Sequence, residues 1–160
     1  MYALSIQQPW ASLIMEGAKT SENRTWCPKE AVIKPGDTFL IHCGKTAQFD
    51  KYLDKIKNVA DQEEKDNVWK ILLIPPMQDY LKENFPELWN WKSSDFPKGV
   101  ILGTATFDSY DKEEKTVWDE QFKFHFRLSN VKYLKEPIEF SGKLNFFETG
   151  LNLEDLEFAE

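Results

Sequence analysis

Between Phe122 and Leu128 the chain alternates without a break: Phe122, Phe124, Phe126 and Leu128 are apolar, while Lys123, His125 and Arg127 are basic. A period of two belongs to a strand and not to a helix. One apolar and one basic face describe a strand buried on one side and solvated on the other, which points to an antiparallel sheet or a small barrel. Other segments read the same way. Tyr2 to Ile6 alternates and is β-prone, and Thr38 to Cys43 is an apolar strand ended by Gly44. Gly99 to Phe107 returns to β, with Gly99 and Gly103 allowing a turn and a close backbone approach. Val131 to Phe140 is a further strand region, followed by Gly142, Lys143 and the pair Phe146 and Phe147.

Two stretches break this pattern. Pro9 suits a first helical turn, Trp10, Leu13 and Ile14 form one apolar stripe, and Gly17 follows as a left-handed cap, which together predict a two-turn helix. From 46 to 98 the chain is polar and helical. Tyr52, Ile56 and Val59 form one expected stripe and Val68, Ile71 and Leu72 another. Pro75 and Pro76 break the run, and a short helix is expected from Tyr80 to about Phe85. We read 46–98 as a helical insertion within a single domain spanning 1–160. The residues after Thr149 are acidic and are expected to form a short helix or to fray. The expected fold class is α+β: a small, closed or nearly closed β-barrel with peripheral helices and a helical insertion.

Composition narrows the function classes. No run of about 18 apolar residues is present, and Met1 to Trp10 lacks the basic and apolar blocks of a signal peptide, so a cytoplasmic protein is expected. Cys27 and Cys43 are then expected as reduced thiols. With His42 and His125 as the only histidines, a zinc site would need all four residues at spacings unlike any zinc motif, so neither metal nor cofactor is expected. The net charge of −7 argues against tight nonspecific binding to duplex DNA. Much of that acidity lies between Glu139 and Glu160, where six acidic residues face one basic; the remaining 19 basic and 21 acidic side chains nearly balance, so a local positive cleft remains open.

The densest polar cluster follows the first helix: Gly17, Lys19, Glu22 and Arg24. As an extended segment, 20–26 puts Thr20, Glu22, Arg24 and Trp26 on one face, with Lys19 leading in from the turn. A guanidinium beside a carboxylate fixes it and keeps it ionised. A lysine next to that pair either donates to a phosphate or, when desolvated, serves as a base. The same spacing also fits an exposed ladder of charges on a strand, worth little.

The stretch from Leu4 to Ile14, including Gln8, Pro9, Trp10 and Ala11, followed by Gly17 to Trp26, resembles the N-terminal signature of the ASCH family. Its hallmark is G-x-K-x-x-E-x-R, filled here by Gly17, Lys19, Glu22 and Arg24. Phe39 to Cys43, Gly99 to Phe107, Phe124 to Asn130, Pro137 with Ile138, and Gly142 with Lys143 resemble the family's later strands and closing loop. The helical middle lies outside the resemblance.

That resemblance implies a PUA-like barrel whose cleft holds the motif residues and meets RNA, single-stranded nucleic acid, or a nucleoside or nucleotide. Some relatives are binding modules; others are hydrolases that deacylate a modified cytidine, or a ribonuclease. The amidohydrolases resemble G-x-K-T-x-T-x-R, with the second Thr as nucleophile, and here Glu22 stands in its place. Three functions therefore stay open: an RNA- or nucleotide-binding domain, a hydrolase with Lys19 and Glu22 as acid–base pair, and a protein-interaction module working through the insertion. The binding residues expected are Lys19 as phosphate binder or base, Glu22 as acceptor for an exocyclic amine, and Arg24 as its orienting partner. Trp10 and Trp26 are candidates for a stacking wall, with Trp10 better suited to the core of an amphipathic helix. Gln7 and Gln8 are expected to present amides at the helix start. His125 and Arg127 are candidate phosphate contacts on a polar strand face.

Overall fold

The period-two segments become six strands of one mixed sheet, β1 (Tyr2–Ile6), β2 (Ser21–Arg24), β3 (Thr38–Cys43), β4 (Val100–Asp111), β5 (Phe124–Glu139) and β6 (Phe146–Glu148), in a computed structural model that describes all 160 residues. Their spatial order is β2-β5-β4-β3-β1-β6. Only β1 and β3 run parallel; every other pair is antiparallel. β4 and β5 form a long hairpin whose register shifts at three places, and such bulges bend a ladder. At Gly103 a Cβ would lie 2.1 Å from the carbonyl oxygen of Lys132 and 2.5 Å from Cε of Met15, so only glycine lets the two strands and the helix beneath them approach.

The sheet curls into a half-barrel. Alternation sends Leu4, Ile6, Phe39, Ile41, Phe107, Phe126 and Leu128 to the concave cluster, and Ala3, Leu40, Ile101, Leu134 and Phe147 to a smaller one on the other side. The C-terminal residues cover that second side through Leu156 and Phe158, with a bridge between Leu134 and Phe158. The closed or nearly closed barrel expected from the alternation is a half-barrel, because β2 and β6 share no backbone hydrogen bonds and only side chains meet across the gap. Trp26 beyond β2 meets Phe146 of β6 edge-on at 6.0 Å, and Phe126 stacks on the same ring at 6.2 Å. Arg24 adds a hydrogen bond of 2.8 Å from Nη2 to the Ser5 carbonyl of β1.

The first helix, α1 (Trp10–Met15), ends at Glu16 and Gly17, whose φ of +81° suits the left-handed turn. It carries no simple stripe. Ala11 to Met15 are all buried, with Ile14 and Met15 in the barrel cluster and Leu13 in a second cluster, so α1 is a wedge between two cores. That second core joins Val68, Trp69, Leu73, Met77, Leu81 and Leu88 to Trp118. The helices between β3 and β4 are α2 (Asp50–Ile56), α3 (Gln62–Asp66), α4 (Pro75–Asn84) and α5 (Pro86–Trp89), with 3-10 turns at Val68–Leu72 and Ser93–Asp95.

Several expectations fail here. α2 stops at Ile56, so Val59 lies past its end and is 85% exposed. Val68–Leu72 is a 3-10 turn to which α-helical spacing does not apply. Ile71 is exposed there, and the anchor is Trp69, whose Nε1 donates to the Trp91 carbonyl at 2.9 Å. α4 starts at Pro75, five residues before Tyr80, because prolines at the first two helical positions forfeit no hydrogen bond. Val131 to Phe140 is not a separate strand but the second half of β5.

The basic strand face is also not solvated. Phe122 precedes β5 and is 93% exposed, whereas His125 is fully buried and the Arg127 side chain keeps 14% of its surface, because the chain between β4 and β5 folds back over them. The residues after Thr149 form a 3-10 turn at Leu153–Asp155. No helix is long and apolar enough to cross a membrane.

Candidate functional site

The turn at Gly17 sets the site. The backbone N–H groups of Ala18 and Lys19 both donate to the Leu13 carbonyl at 3.0 Å, which closes α1 and delivers Lys19 to the start of β2. The Lys19 side chain is only 3% exposed. Its ammonium donates to the Ser21 carbonyl, lies 3.4 Å from Glu22 Oε1 and sits 5.9 Å from the Trp10 ring centre. Glu22 Oε2 accepts from Arg24 Nε at 3.0 Å and from Arg24 Nη2 at 2.7 Å. One carboxylate oxygen is thus saturated by the guanidinium, while the other has a single long contact and keeps acceptor capacity. Burial lowers the Lys19 pKa, and the charge of Glu22 beside it works in the opposite direction. The exposed charge ladder that the spacing also allowed is absent, since Lys19 and Glu22 are both buried.

These three head groups lie in a cleft of about 520 Å³, within the range of small-ligand sites. Gln7, Trp10 and Trp26 line it as well. Trp10 packs on the two cores, as the core reading expected, donates from Nε1 to Gln48 Oε1, and turns an edge to Trp118 at 6.4 Å. Trp26 is half-buried beside Phe126 and Phe146 at the sheet's open seam.

Three expected residues stand elsewhere. Gln8 is fully buried and does not line the cleft. Its amide donates to Ser12 Oγ at 2.8 Å and to the Pro97 carbonyl at 2.9 Å, and accepts from the Ser12 N–H at 2.9 Å, tying α1 to the end of the helical segment. His125 lies under the loop before β5, with Nδ1 2.7 Å from Asn23 Oδ1. Arg127 is engaged by acids: it bonds both oxygens of Asp111 at 2.7 and 3.1 Å, Asp119 Oδ2 at 2.8 Å and the Glu113 carbonyl at 2.8 Å. Asp119 accepts in addition from Ser21 Oγ at 2.6 Å, so this clamp fastens the 111–120 segment onto β2.

That segment supplies a wall which sequence reading missed, Trp118 and Glu120. Trp118 sits in a loop with no periodicity, so no local pattern announces it. The opposite rim, Lys143, Leu144 and Asn145, precedes β6. The Gly142-Lys143 pair was visible in the sequence, yet nothing there placed it against the N-terminal motif. The rim loop is held by His42, whose Nε2 is 2.7 Å from the Phe140 carbonyl and whose Nδ1 is 2.9 Å from Ser5 Oγ. Burial lowers the His42 pKa, so the ring is neutral near pH 7; Nε2–H then donates to Phe140 and Nδ1 accepts from the Ser5 hydroxyl. Gly142 rests on this pair, with room for nothing larger. No group of three or more His, Cys, Asp and Glu side chains converges as metal ligands do.

The ASCH domain family model matches residues 4–141. The chain belongs to the ASCH domain family. The matched span includes the Gly17, Lys19, Glu22 and Arg24 motif, and it runs through the helical segment to the start of the rim loop. A comparison with curated proteins gives no match. Within this ASCH domain the motif places a buried ammonium and a carboxylate with one free acceptor position at the base of a cleft, edged by tryptophans. That arrangement offers an acceptor to an amine, a donor to an oxyanion, and flat apolar surface to a ring.

Proposed function

We propose that this ASCH domain binds nucleic acid, RNA in the first place, or a free nucleotide, on a PUA-like barrel, and that its cleft takes one unstacked base. The observation that supports this most is the convergence of Lys19, Glu22 and Arg24 beneath Trp10 and Trp26 in a cleft of about 520 Å³. Glu22 Oε1 offers an acceptor to an exocyclic amine, Lys19 a donor to a carbonyl or phosphate oxygen, and the tryptophans a stacking edge, which is how single-stranded RNA is read. Arg24 holds Glu22 in place through two hydrogen bonds to Oε2. Cytoplasmic residence goes with this reading, and Cys27 and Cys43 are free thiols.

The test is a thermal-shift screen of nucleosides, nucleotides and short single-stranded RNAs. A ligand at a hundred times its Kd stabilises the folded state by about 2.7 kcal/mol. For a chain of this length that is a rise of about 5–10 °C in Tm. Glu22→Gln keeps the shape and removes the charge, and it should abolish most of the shift. If no ligand shifts Tm, or the shift is the same in Glu22→Gln, the reading fails.

One observation favours a second reading. A buried lysine with a lowered pKa beside a carboxylate is an acid–base pair in form, and a hydrolase acting on a modified nucleoside or on RNA would use Lys19 and Glu22 in those roles. Product analysis after incubation with acylated nucleoside and with RNA decides it: turnover that survives Glu22→Gln rejects the roles.

A further inference from the structure

We infer that the cleft continues into a second basin that takes the phosphate of the nucleotide following the bound one, so that the ligand is a single strand and not a lone nucleotide. The inference rests on the nucleic-acid reading above. Beside the cleft lies a second concavity of about 820 Å³, and Lys143 lines both. The distribution of ion pairs gives that shared position its meaning. In the cleft, Lys19 and Arg24 are committed to Glu22, and Lys123 to Glu120; Lys143 alone among the lining cations has no carboxylate partner.

The basin repeats the pattern. Lys98 is held by Asp50 at 2.8 Å and Glu148 by the N-terminal ammonium at 2.9 Å, so both pairs are internally neutral. What remains is Lys45 and Lys143 against Glu139, a net positive spot on a chain whose overall charge is −7. Both ammonium groups hang from fixed backbone. Lys45 follows the end of β3 and its Cγ packs 3.5 Å from where a Cβ would stand on Gly99, a residue whose N–H bonds back to the Cys43 carbonyl at 2.8 Å. Lys143 follows Gly142, which is seated on His42 and Ser5. A strand with one base in the cleft leaves it past Lys143, and its next phosphate meets Lys45.

Each phosphate neutralised on a single strand adds about 0.7 to the slope of log affinity against log salt, or about 2.6-fold in affinity between 50 and 200 mM salt. Fluorescence anisotropy on the full chain, with a mononucleotide and with a short single-stranded RNA at both salt concentrations, reads this directly. Lys45 lines the basin and not the cleft. Lys45→Gln should therefore leave mononucleotide affinity unchanged, weaken RNA binding and lower its salt slope by about 0.7. Lys143→Gln should weaken RNA binding by at least as much. Mononucleotide binding with RNA no tighter, or with a Lys45→Gln salt slope equal to wild type, overturns the inference and leaves the cleft reading standing. Binding of neither ligand overturns both. An acidic peptide bound in a Lys45-dependent way, with RNA ignored, assigns the basin to protein and also overturns the inference.

Discussion

Arg127→Gln should destabilise the protein by about 3 kcal/mol. The guanidinium carries four of the contacts that fasten the 111–120 segment: two to Asp111, one to Asp119 and one to the Glu113 carbonyl. Asp119 has no exposed side-chain surface. Removing one partner of a buried ion pair costs about 3–5 kcal/mol. The low end applies, because Asp119 keeps hydrogen bonds from Ser21 Oγ, Thr116 Oγ1 and the backbone N–H groups of Lys115 and Thr116. At about 2–4 °C per kcal/mol for this length, Tm should fall by about 6–12 °C. The pH dependence carries a second signature. Hydrogen bonds from Arg127 hold the Asp111 carboxyl far below its ordinary range. For Asp119 burial pushes upward but is outweighed by Ser21, Arg127 and the backbone donors, so it too is held far below. Groups with depressed folded values contribute stability that is complete above the ordinary carboxylate range, about pH 4, and lost as pH falls toward the folded values. The gap between wild type and variant should therefore be widest at pH 6–7 and narrow below about pH 4, at up to about 1.4 kcal/mol per pH unit for each carboxylate. Urea denaturation from pH 7 down to pH 3 measures it. A loss under about 1 kcal/mol at pH 7, or a gap that stays constant with pH, refutes the clamp.

Two further substitutions test how the rim and the seam are held. Gly142→Ala places a Cβ 2.8 Å from His42 Cε1 and 2.9 Å from Ser5 Oγ, and should cost about 1–3 kcal/mol by overpacking, read as a lower urea midpoint with an unchanged m value. Trp26→Ala removes the ring that contacts Phe126 and Phe146; because it is only half-buried the loss should be about 2–3 kcal/mol by thermal denaturation, below the cost of a fully buried tryptophan.

What the sequence revealed about this fold depended on how far each signal reaches. β1, β3 and the turn at Gly17 depend on local alternation and local caps, and they stand where the pattern put them. The pairing of Glu22 with Arg24 also follows from two-residue spacing within one strand. The polar face of β5 was misread because alternation reports that two faces differ, not what covers them. His125 and Arg127 are roofed by a loop held through Asp111 and Asp119, and that long-range contact leaves no trace in the strand's own pattern. The helical stripes failed where elements are too short to carry a period, as at Val59 and Ile71. The cleft walls were hidden for a related reason. Trp118 and the Lys143 rim are about 100 and 120 residues from Lys19, and only the fold brings them together.

The line along which β2 and β6 face each other has one more consequence. Trp26 stands on one lip of that line and the stretch from Lys143 to Phe146 on the other, so the cleft opens along it. What spans that line is aromatic edges and the Arg24 to Ser5 hydrogen bond, and no backbone rung crosses it. A ring wedged between Trp26 and the Lys143 to Phe146 stretch would therefore displace side chains and not a strand-to-strand backbone hydrogen bond.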